Sequence, residues 1–189
     1  PTNLKSPVAL DFALMELFSA AAAGSNYNFD SLFVPFRCLA SEIEHNKSVV
    51  FNSGNLAEAV RASITYPFYI PPIKIDGKLM FDGGLYNNFP SDVMYNDFYP
   101  DVIIGSNVGN NTVPDEDDLF SQLKSMLQSK SNYDVLCENG IIIEPNVDVG
   151  LFEFSNPQPV IDSGYVATIR KMEQIKQVVI READKNDLN

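Results

Sequence analysis

The chain has 189 residues and a formal net charge of -12, from 13 Lys and Arg against 25 Asp and Glu. Nucleic acids and anionic lipid headgroups attract basic protein surfaces, so this charge argues against long-range attraction to either. Hydrophobic residues make up 45% and charged residues 20%, which fits a globular protein and not a disordered one.

The cysteines and the histidine limit the chemistry of the chain further. Cys38 and Cys137 are the two cysteines, and His45 is the single histidine. The cysteines show no disulfide-framework spacing, although the sequence leaves a bridge between them open. These three residues form no zinc-site pattern, and we expect neither a metal nor a cofactor. A Ser-His-Asp triad within the chain would have to use His45, which lies in a polar stretch that favours an exposed turn.

The first predicted element is a helix from Ser6-Pro7 to Gly24. Ser is a favoured N-cap, Pro suits the first helical position and Gly commonly ends a helix. The helix is apolar nearly all round, which favours packing in a core. A membrane-facing amphipathic helix is the alternative, but the basic face that such helices usually carry is absent from the sequence.

Two strands and a second helix follow. Residues 32–40 predict a strand that is apolar on both faces, as at the centre of a parallel sheet. Residues 48–51 predict a shorter strand that pairs with it across a turn. A helix then begins at Asn55, with Glu58 as its capping partner. Ser63 lies within this helix and not at a strand-to-helix elbow, so we interpret it as structural.

The most informative stretch is 73–90, which reads IKIDGKLMFDGGLYNNFP. Asp76-Gly77 between alternating apolar residues predicts a hairpin. The second strand of this hairpin ends at Asp82, and Gly83 and Gly84 follow. Because glycine permits sharp turns and the close approach of other groups, a carboxylate here is a candidate catalytic base. An ordinary turn is the alternative, since Asp and Gly are the commonest turn residues.

Helices and strands continue to alternate beyond this stretch, which favours an α/β domain. We predict a short helix at 91–97, strands at 101–105 and 141–145, a helix around 119–127 and a long helix at 163–183. Ser106 follows one of these strands but lacks the second glycine of a nucleophile elbow. The acidic loop at 107–118 fits either a mobile lid or an ordinary surface insertion.

The order of these motifs resembles the C-terminal half of the catalytic domain of patatin-like phospholipases. The matching pieces are Ala40-Ser41-Glu42, Gly54-Asn55-Leu56, the helix at 59–63, Tyr66-Pro67, Pro71-Pro72, Asp82-Gly83-Gly84 and Asn87-Asn88-Phe89-Pro90. The resemblance covers most of residues 30–110 and returns more weakly at 160–165. It implies a three-layer α/β/α sandwich with a mostly parallel sheet. Residues 1–189 would form the C-terminal part of a single catalytic domain.

The resemblance also implies an activity, because patatin-like enzymes are lipid acyl hydrolases with a Ser-Asp dyad. Asp82 would be the base, within the Asp82-Gly83-Gly84 motif, and would take the proton of a serine that attacks the ester carbonyl. The chain contains neither a Gly-x-Ser-x-Gly elbow nor the family's glycine-rich oxyanion loop. The family places both upstream of the region seen here. We therefore expect this chain to be inactive and marginally stable without that N-terminal segment as its partner.

The absence of the nucleophile from these residues leaves a second hypothesis open. The chain would then be a non-catalytic lipid-binding or interaction module on a patatin-like scaffold. Under the first hypothesis the substrate is a lipid or other ester. Any contact with a membrane or micelle surface would come from apolar side chains of this chain or from the upstream segment. A periplasmic or membrane-associated location in a bacterium would suit the resemblance.

Overall fold

The computed structural model describes residues 3–109, 119, 122, 125–126, 129–145, 147, 149, 153 and 155–179. The chain forms two compact units, one from Pro1–Asn88 and Asn111–Asn132, the other from Phe89–Asn110 and Tyr133–Asn189. Each unit combines helices with strands, which confirms the α/β class. Membership of a single domain stays a prediction. Most of the helix predicted around 119–127 and of the acidic loop lies outside the described residues.

The first unit is built around a four-stranded sheet. Its elements are α1 (Val8–Gly24), β1 (Cys38–Glu42), β2 (Lys47–Phe51), α2 (Leu56–Ser63), β3 (Ile73–Ile75) and β4 (Lys78–Asp82). Short 3-10 turns at Phe29–Ser31 and Gly83–Leu85 lie before β1 and after β4. The strand order is β2-β1-β4-β3, so β1 and β4 are the central strands.

The expected parallel pairing is found between the strands Ile104–Ser106 and Ile141–Ile143, but not within the four-stranded sheet. The three pairings of the four-stranded sheet are all antiparallel. Short connections explain two of them, because the turn at 43–46 and the turn at 76–77 can join only antiparallel neighbours. The third, between β1 and β4, is also antiparallel although α2 and β3 lie between these strands in the chain.

β1 begins at Cys38 and not at residue 32 as predicted. Pro35 lies in the intervening stretch and has no N–H to donate to a strand ladder. The N–H of Phe36 instead donates to the carbonyl of Phe29 at 3.2 Å. Phe29 is fully buried in a core cluster that includes Cys38. The chain therefore folds back over this core before the strand starts.

β3 and β4 form the predicted hairpin. Asp76 and Gly77 have φ values of 52° and 78°, the left-handed conformations that a two-residue hairpin turn requires. Glycine adopts this conformation without strain, and aspartate tolerates it better than most residues. The register pairs Ile75 with Lys78 and Ile73 with Met80. The turn thus sets the register of β4 against β3.

The predicted cap of α2 is confirmed. The Asn55 Oδ1 atom accepts hydrogen bonds from the N–H groups of Ala57 at 3.1 Å and Glu58 at 3.3 Å. The Glu58 side chain in turn accepts a hydrogen bond from Asn55 Nδ2 at 3.2 Å. The two bonds accepted by Asn55 Oδ1 satisfy backbone N–H groups that the first turn of a helix leaves without intrahelical partners.

A buried arginine connects α2 with its neighbours. Arg61 is 4% exposed, and its Nε donates to Asp11 of α1 at 2.6 Å. Its Nη2 donates to the Pro71 carbonyl at 2.9 Å, and its Nη1 donates to the hydroxyl of Thr65. The planar guanidinium can satisfy three acceptors at fixed angles, which a lysine ammonium cannot do in the same way. Arg61 therefore links both helices to the segment that enters β3.

α1 is less buried than its composition predicts. Its buried residues are Leu14 and Ala22. The more exposed apolar side chains, each over half exposed, are Val8, Phe12, Met15 and Leu17. Core packing is therefore confirmed for one side of the helix. The companion segment that would cover the other side stays a prediction. Among the described residues, no helix has both the length and the apolar character needed to cross a membrane.

The second unit contains α3 (Ser91–Phe98), β5 (Ile104–Ser106), β6 (Ile141–Ile143) and α4 (Gln158–Val178). β5 and β6 pair in parallel, and α4 contacts β6. These elements confirm the two strands, the short helix and the long helix, with shifted ends. α4 begins before the predicted residue 163 because Pro157 and Pro159 suit the first turn of a helix.

We expect Arg61→Met to lower the free energy of unfolding by about 2–4 kcal/mol, because three acceptors lose a buried donor. Urea denaturation of the purified protein measures this change. Lys74→Met, at an exposed position of β3, is the matched control and should change the free energy by less than about 0.5 kcal/mol. Equal effects of the two substitutions would contradict the proposed linking role of Arg61.

Candidate functional site

Asp82 lies at the end of a central strand, and its backbone is held from two directions. Its Cα pairs with that of Ala40 in β1. Its N–H donates to the carbonyl of Thr65, just after α2, at 2.9 Å. Thr65 is fully buried, and its hydroxyl donates to the Arg61 carbonyl at 2.7 Å. The sheet and α2 together therefore determine where the Asp82 backbone lies.

The Asp82 side chain caps the 3-10 turn that follows it. Its Oδ1 accepts a hydrogen bond from the N–H of Gly84 at 2.7 Å. The N–H groups of Tyr86 and Asn87 donate to the Gly83 carbonyl at 3.2 and 3.0 Å. Hydrogen bonds to an ionised carboxylate are among the stronger ones in proteins. This bond orients the partly buried carboxylate relative to the turn.

Other atoms approach both glycines of the motif closely, a backbone carbonyl at Gly83 and the end of a side chain at Gly84. A Cβ on Gly83 would lie 2.4 Å from the Leu39 carbonyl oxygen, and a Cβ on Gly84 would lie 2.5 Å from Asn88 Oδ1. Neither glycine has a positive φ, so space and not backbone conformation explains them. The close approach expected from the sequence is confirmed. The catalytic role of Asp82 stays a prediction, since a capped turn is compatible both with a catalytic base and with an ordinary turn.

A long-range hydrogen bond reaches the same turn from the loop between β1 and β2. The hydroxyl of Tyr86 donates to Asn46 Oδ1 at 2.9 Å. Asn46 has a φ of 52°, in the left-handed region that asparagine tolerates. Sequence reasoning missed this pair because forty positions separate the two residues. The one available signal in the sequence was Asn46 itself, because asparagine in a tight turn often has a structural role.

Glu42 organises the turn that carries Asn46. Its side chain is fully buried; Oε1 accepts from the His45 N–H at 3.0 Å, and Oε2 lies 2.7 Å from His45 Nδ1. Desolvation by burial acts to raise the pKa of Glu42. The hydrogen bonds and the charge of His45 outweigh it, so the pKa lies below its ordinary value of 4.5. The carboxylate form therefore stabilises the turn.

The same turn contains the one cluster of possible cation ligands among the described residues. Donor atoms of Glu42, Glu44 and His45 lie within 4.8 Å of one another. His45 already occupies both carboxylate oxygens of Glu42. Turn formation accounts for this arrangement without an ion. The expectation of no metal stays a prediction.

Ser63 and Ser106, the two serines considered as nucleophiles in the sequence, each lie at the end of a regular element. Ser63 is the last residue of α2, and Ser106 is the last residue of β5. Sequence reasoning missed Ser41 and Ser48, which face each other across β1 and β2. Their hydroxyls are buried and, within the described part of the chain, have no hydrogen-bond partner. Ser41 is fully buried in a central strand, so it is inaccessible to an ester.

The two cysteines are both buried free thiols, so the bridge that the sequence left open is not formed. Burial raises the pKa of Cys38 to about 12, which keeps it a neutral thiol at physiological pH. Cys38 belongs to the core cluster around Phe29. Its prediction as a small core residue is confirmed.

The family model described as patatin-like phospholipase matches residues 7–95. Over these residues, just under half of the chain, the sequence is similar to the patatin-like phospholipase family, and we call residues 7–95 the patatin-like region. The patatin-like region includes the whole four-stranded sheet, the Asp82 turn and both members of the Tyr86–Asn46 pair. It ends before residues 160–165, so the weaker resemblance expected there stays a prediction.

Three relatives illustrate how much of the patatin-like sequence is shared. A patatin-like phospholipase domain-containing protein of Caenorhabditis elegans is 34% identical over 91 residues, 41% of this chain and 7% of the relative. For the neuropathy target esterase sws of Drosophila melanogaster, identity is 35% over 71 residues, 36% of this chain and 5% of the relative. Patatin-like phospholipase domain-containing protein 7 of Mus musculus is 30% identical over 125 residues, which are 61% of this chain and 9% of the relative. The chain thus spans less than a tenth of each of these three relatives.

Substitution of the first motif glycine tests the packing of the patatin-like turn. Gly83→Ala should lower the free energy of unfolding by about 1–3 kcal/mol, because the new methyl group overlaps the Leu39 carbonyl. Gly24→Ala is the control, since no atom lies within 4 Å of its added Cβ, and it should be neutral or stabilising by up to about 1 kcal/mol. Chemical denaturation of both variants measures the difference, and a neutral Gly83→Ala would contradict the close contact.

Because the pKa of Glu42 is lowered in the folded protein, the free energy of unfolding should depend on pH. A carboxyl group whose pKa is lower in the folded than in the unfolded protein stabilises the fold above the unfolded value. This contribution, present above about pH 4.5, is lost as the pH falls through the lower folded pKa. Glu42→Gln should therefore destabilise the protein near neutral pH and less so at about pH 3. Chemical denaturation at both pH values measures the loss of unfolding free energy, with Glu138→Gln at an exposed position as control. A loss that is the same at both pH values would contradict the stabilising role of the Glu42 carboxylate.

Proposed function

We propose that this chain contributes the general base of a lipid acyl hydrolase with a Ser-Asp dyad, and that Asp82 is this base. The observation that carries the proposal is the strand-end carboxylate, oriented by the Gly84 N–H inside the patatin-like region. Relatives named as a phospholipase domain-containing protein and an esterase support an ester substrate. Gly83 and Gly84 support the motif by providing the space that the turn requires.

In the proposed reaction, Asp82 removes the proton of the nucleophilic serine as its oxygen attacks the carbonyl carbon of a lipid ester. The alcohol leaves with that proton when the carbon–oxygen bond breaks, and an acyl-enzyme remains. Asp82 then deprotonates a water molecule that attacks the acyl-enzyme. As the bond between the acyl carbon and the serine oxygen breaks, Asp82 returns this proton to the serine oxygen, which leaves a carboxylic acid and the regenerated serine. No cofactor is needed for either step.

Positioning is central to this proposal because a carboxylate is a weak base toward a hydroxyl group. Correct alignment of reacting groups can supply a large part of a catalytic effect. The Asp82 backbone is fixed by Ala40 and Thr65, and its carboxylate is oriented by Gly84. These contacts provide the alignment on the side of the base.

The serine is proposed to lie on a segment that precedes this chain, because the 189 residues contain no Gly-x-Ser-x-Gly sequence. That segment is also the proposed partner for the exposed apolar side of α1, which includes Val8, Phe12 and Met15. Contact with a membrane or micelle would rest on apolar surface, since a net charge of -12 opposes attraction to anionic headgroups.

A second candidate function is a non-catalytic lipid-binding or interaction module. The absence of the nucleophile elbow from these residues favours it. Fluorophosphonate labelling of the native protein, followed by denaturing mass spectrometry, separates the two functions. A labelled serine outside the 189 residues supports the hydrolase. Absence of label from every part of the native protein would support the module.

Asp82→Asn in the complete native protein tests the base directly. We expect hydrolysis of a soluble ester to fall by at least about 100-fold, because the amide keeps the shape of the side chain but not its basicity. Asp76→Asn is the control, since asparagine also suits the left-handed turn of the same hairpin. Its hydrolysis rate should match that of the wild type. Near-normal hydrolysis by Asp82→Asn would refute the role of Asp82.

A further inference from the structure

The turn that follows β4 is contacted from both sides by groups distant in sequence. On the inner side, Gly83 lies against the backbone of Leu39 in β1. On the outer side, the Tyr86 hydroxyl donates to Asn46 Oδ1 in the turn between β1 and β2. The inner contact follows directly from sheet packing, and the outer one is formed by a pair of side chains. The N–H of Ser129 also donates to the carbonyl of Leu85, the last residue of the turn, at 2.7 Å.

We propose that the Tyr86–Asn46 hydrogen bond positions the Asp82 carboxylate, which makes Tyr86 and Asn46 positioning residues of the site. This inference rests on the proposed function of Asp82 as the base. The proposal extends the site by Tyr86 and Asn46, which lie outside the Asp-Gly-Gly motif. Neither residue is proposed to touch the substrate.

The connection from Tyr86 to Asp82 runs through the 3-10 turn. The N–H of Tyr86 donates to the Gly83 carbonyl at 3.2 Å, and the N–H of Gly84 donates to Asp82 Oδ1 at 2.7 Å. A displacement of Tyr86 therefore moves the amide that orients the carboxylate. The Asp82 backbone stays in place because β1 and Thr65 hold it. Loss of the outer contact should thus change the orientation of the carboxylate and not the fold.

Asn46 is suited to anchor this bond because its own turn is well determined. Its positive φ places it in a conformation that asparagine, aspartate and glycine tolerate best. The preceding His45 is bonded through both its N–H and its ring to the buried carboxylate of Glu42. The acceptor for Tyr86 therefore lies on a backbone with few alternative conformations.

Three substitutions separate positioning from a general structural role. Tyr86→Phe removes the hydroxyl and keeps the ring. Asn46→Gly removes the acceptor but suits the left-handed backbone at least as well. Asn46→Asp keeps an acceptor oxygen and also tolerates that backbone. If Asn46 served only to form its turn, Asn46→Gly would be harmless.

The experiment measures steady-state hydrolysis of a soluble ester by the complete native protein. Tyr86→Phe and Asn46→Gly should each lower kcat about tenfold, the effect of one lost hydrogen bond on an equilibrium. KM should change by less than about twofold, because ground-state binding is not affected. The double variant should be no slower than either single variant, since both remove the same bond. Asn46→Asp should retain most of the activity, and Tyr165→Phe, on an exposed tyrosine, is the control.

An independent measurement does not require catalysis. Amide hydrogen exchange at Gly84 should be faster in Tyr86→Phe and Asn46→Gly than in the wild type, with unchanged exchange in the central strands. Wild-type kcat in both variants, or additive losses in the double variant, would overturn the positioning role. Asp82→Asn in the same series separates the two proposals. If it stays active, the proposed base is wrong; if it is inactive while the other variants match the wild type, only the positioning role is wrong.

Discussion

The antiparallel pairing of β4 with β1 is the constraint on which the rest of the first unit depends. It places Asp82 opposite Ala40 and brings the following turn against the backbone of Leu39. The contact is so close that position 83 has no room for a side chain. The packing of two central strands therefore explains the glycine at position 83, and the N–H of Gly84 in the following turn orients the Asp82 carboxylate.

Two buried charged side chains, Arg61 and Glu42, support this arrangement, and each is hydrogen-bonded to neighbouring groups. Arg61 uses its guanidinium to bind Asp11, Thr65 and the Pro71 carbonyl. Glu42 closes the turn between β1 and β2 by binding His45. Burying a charge is costly unless its hydrogen-bonding groups are satisfied, so each residue favours one arrangement of the segments around it. Through Thr65 on one side and Asn46 on the other, both groups act on the surroundings of Asp82.

Much of the first unit could be predicted from sequence, where the signal is contained within a few residues. The Asp76-Gly77 turn and the Asn55 cap were predicted because φ preferences and short-range hydrogen bonds decide them. The start of β1 was placed too early, since the burial of Phe29 and not local propensity determines where the strand begins. The family resemblance and the apolar run at 32–40 favoured a mostly parallel sheet, because strands that are apolar on both faces are typical of one. β1 is buried along its whole length, yet both its neighbours run antiparallel to it.

The sequence by itself determined the α/β class and the hairpin, and it singled out Asp82-Gly83-Gly84 as the candidate site, because each depends on residues close together in the chain. Only the tertiary structure decided the antiparallel order of the sheet, the burial of Ser41 and the contact of Tyr86 with Asn46. The strand pairing and the side-chain contact join segments about forty positions apart. No local preference encodes which segments meet, since that is decided by the packing of the whole unit.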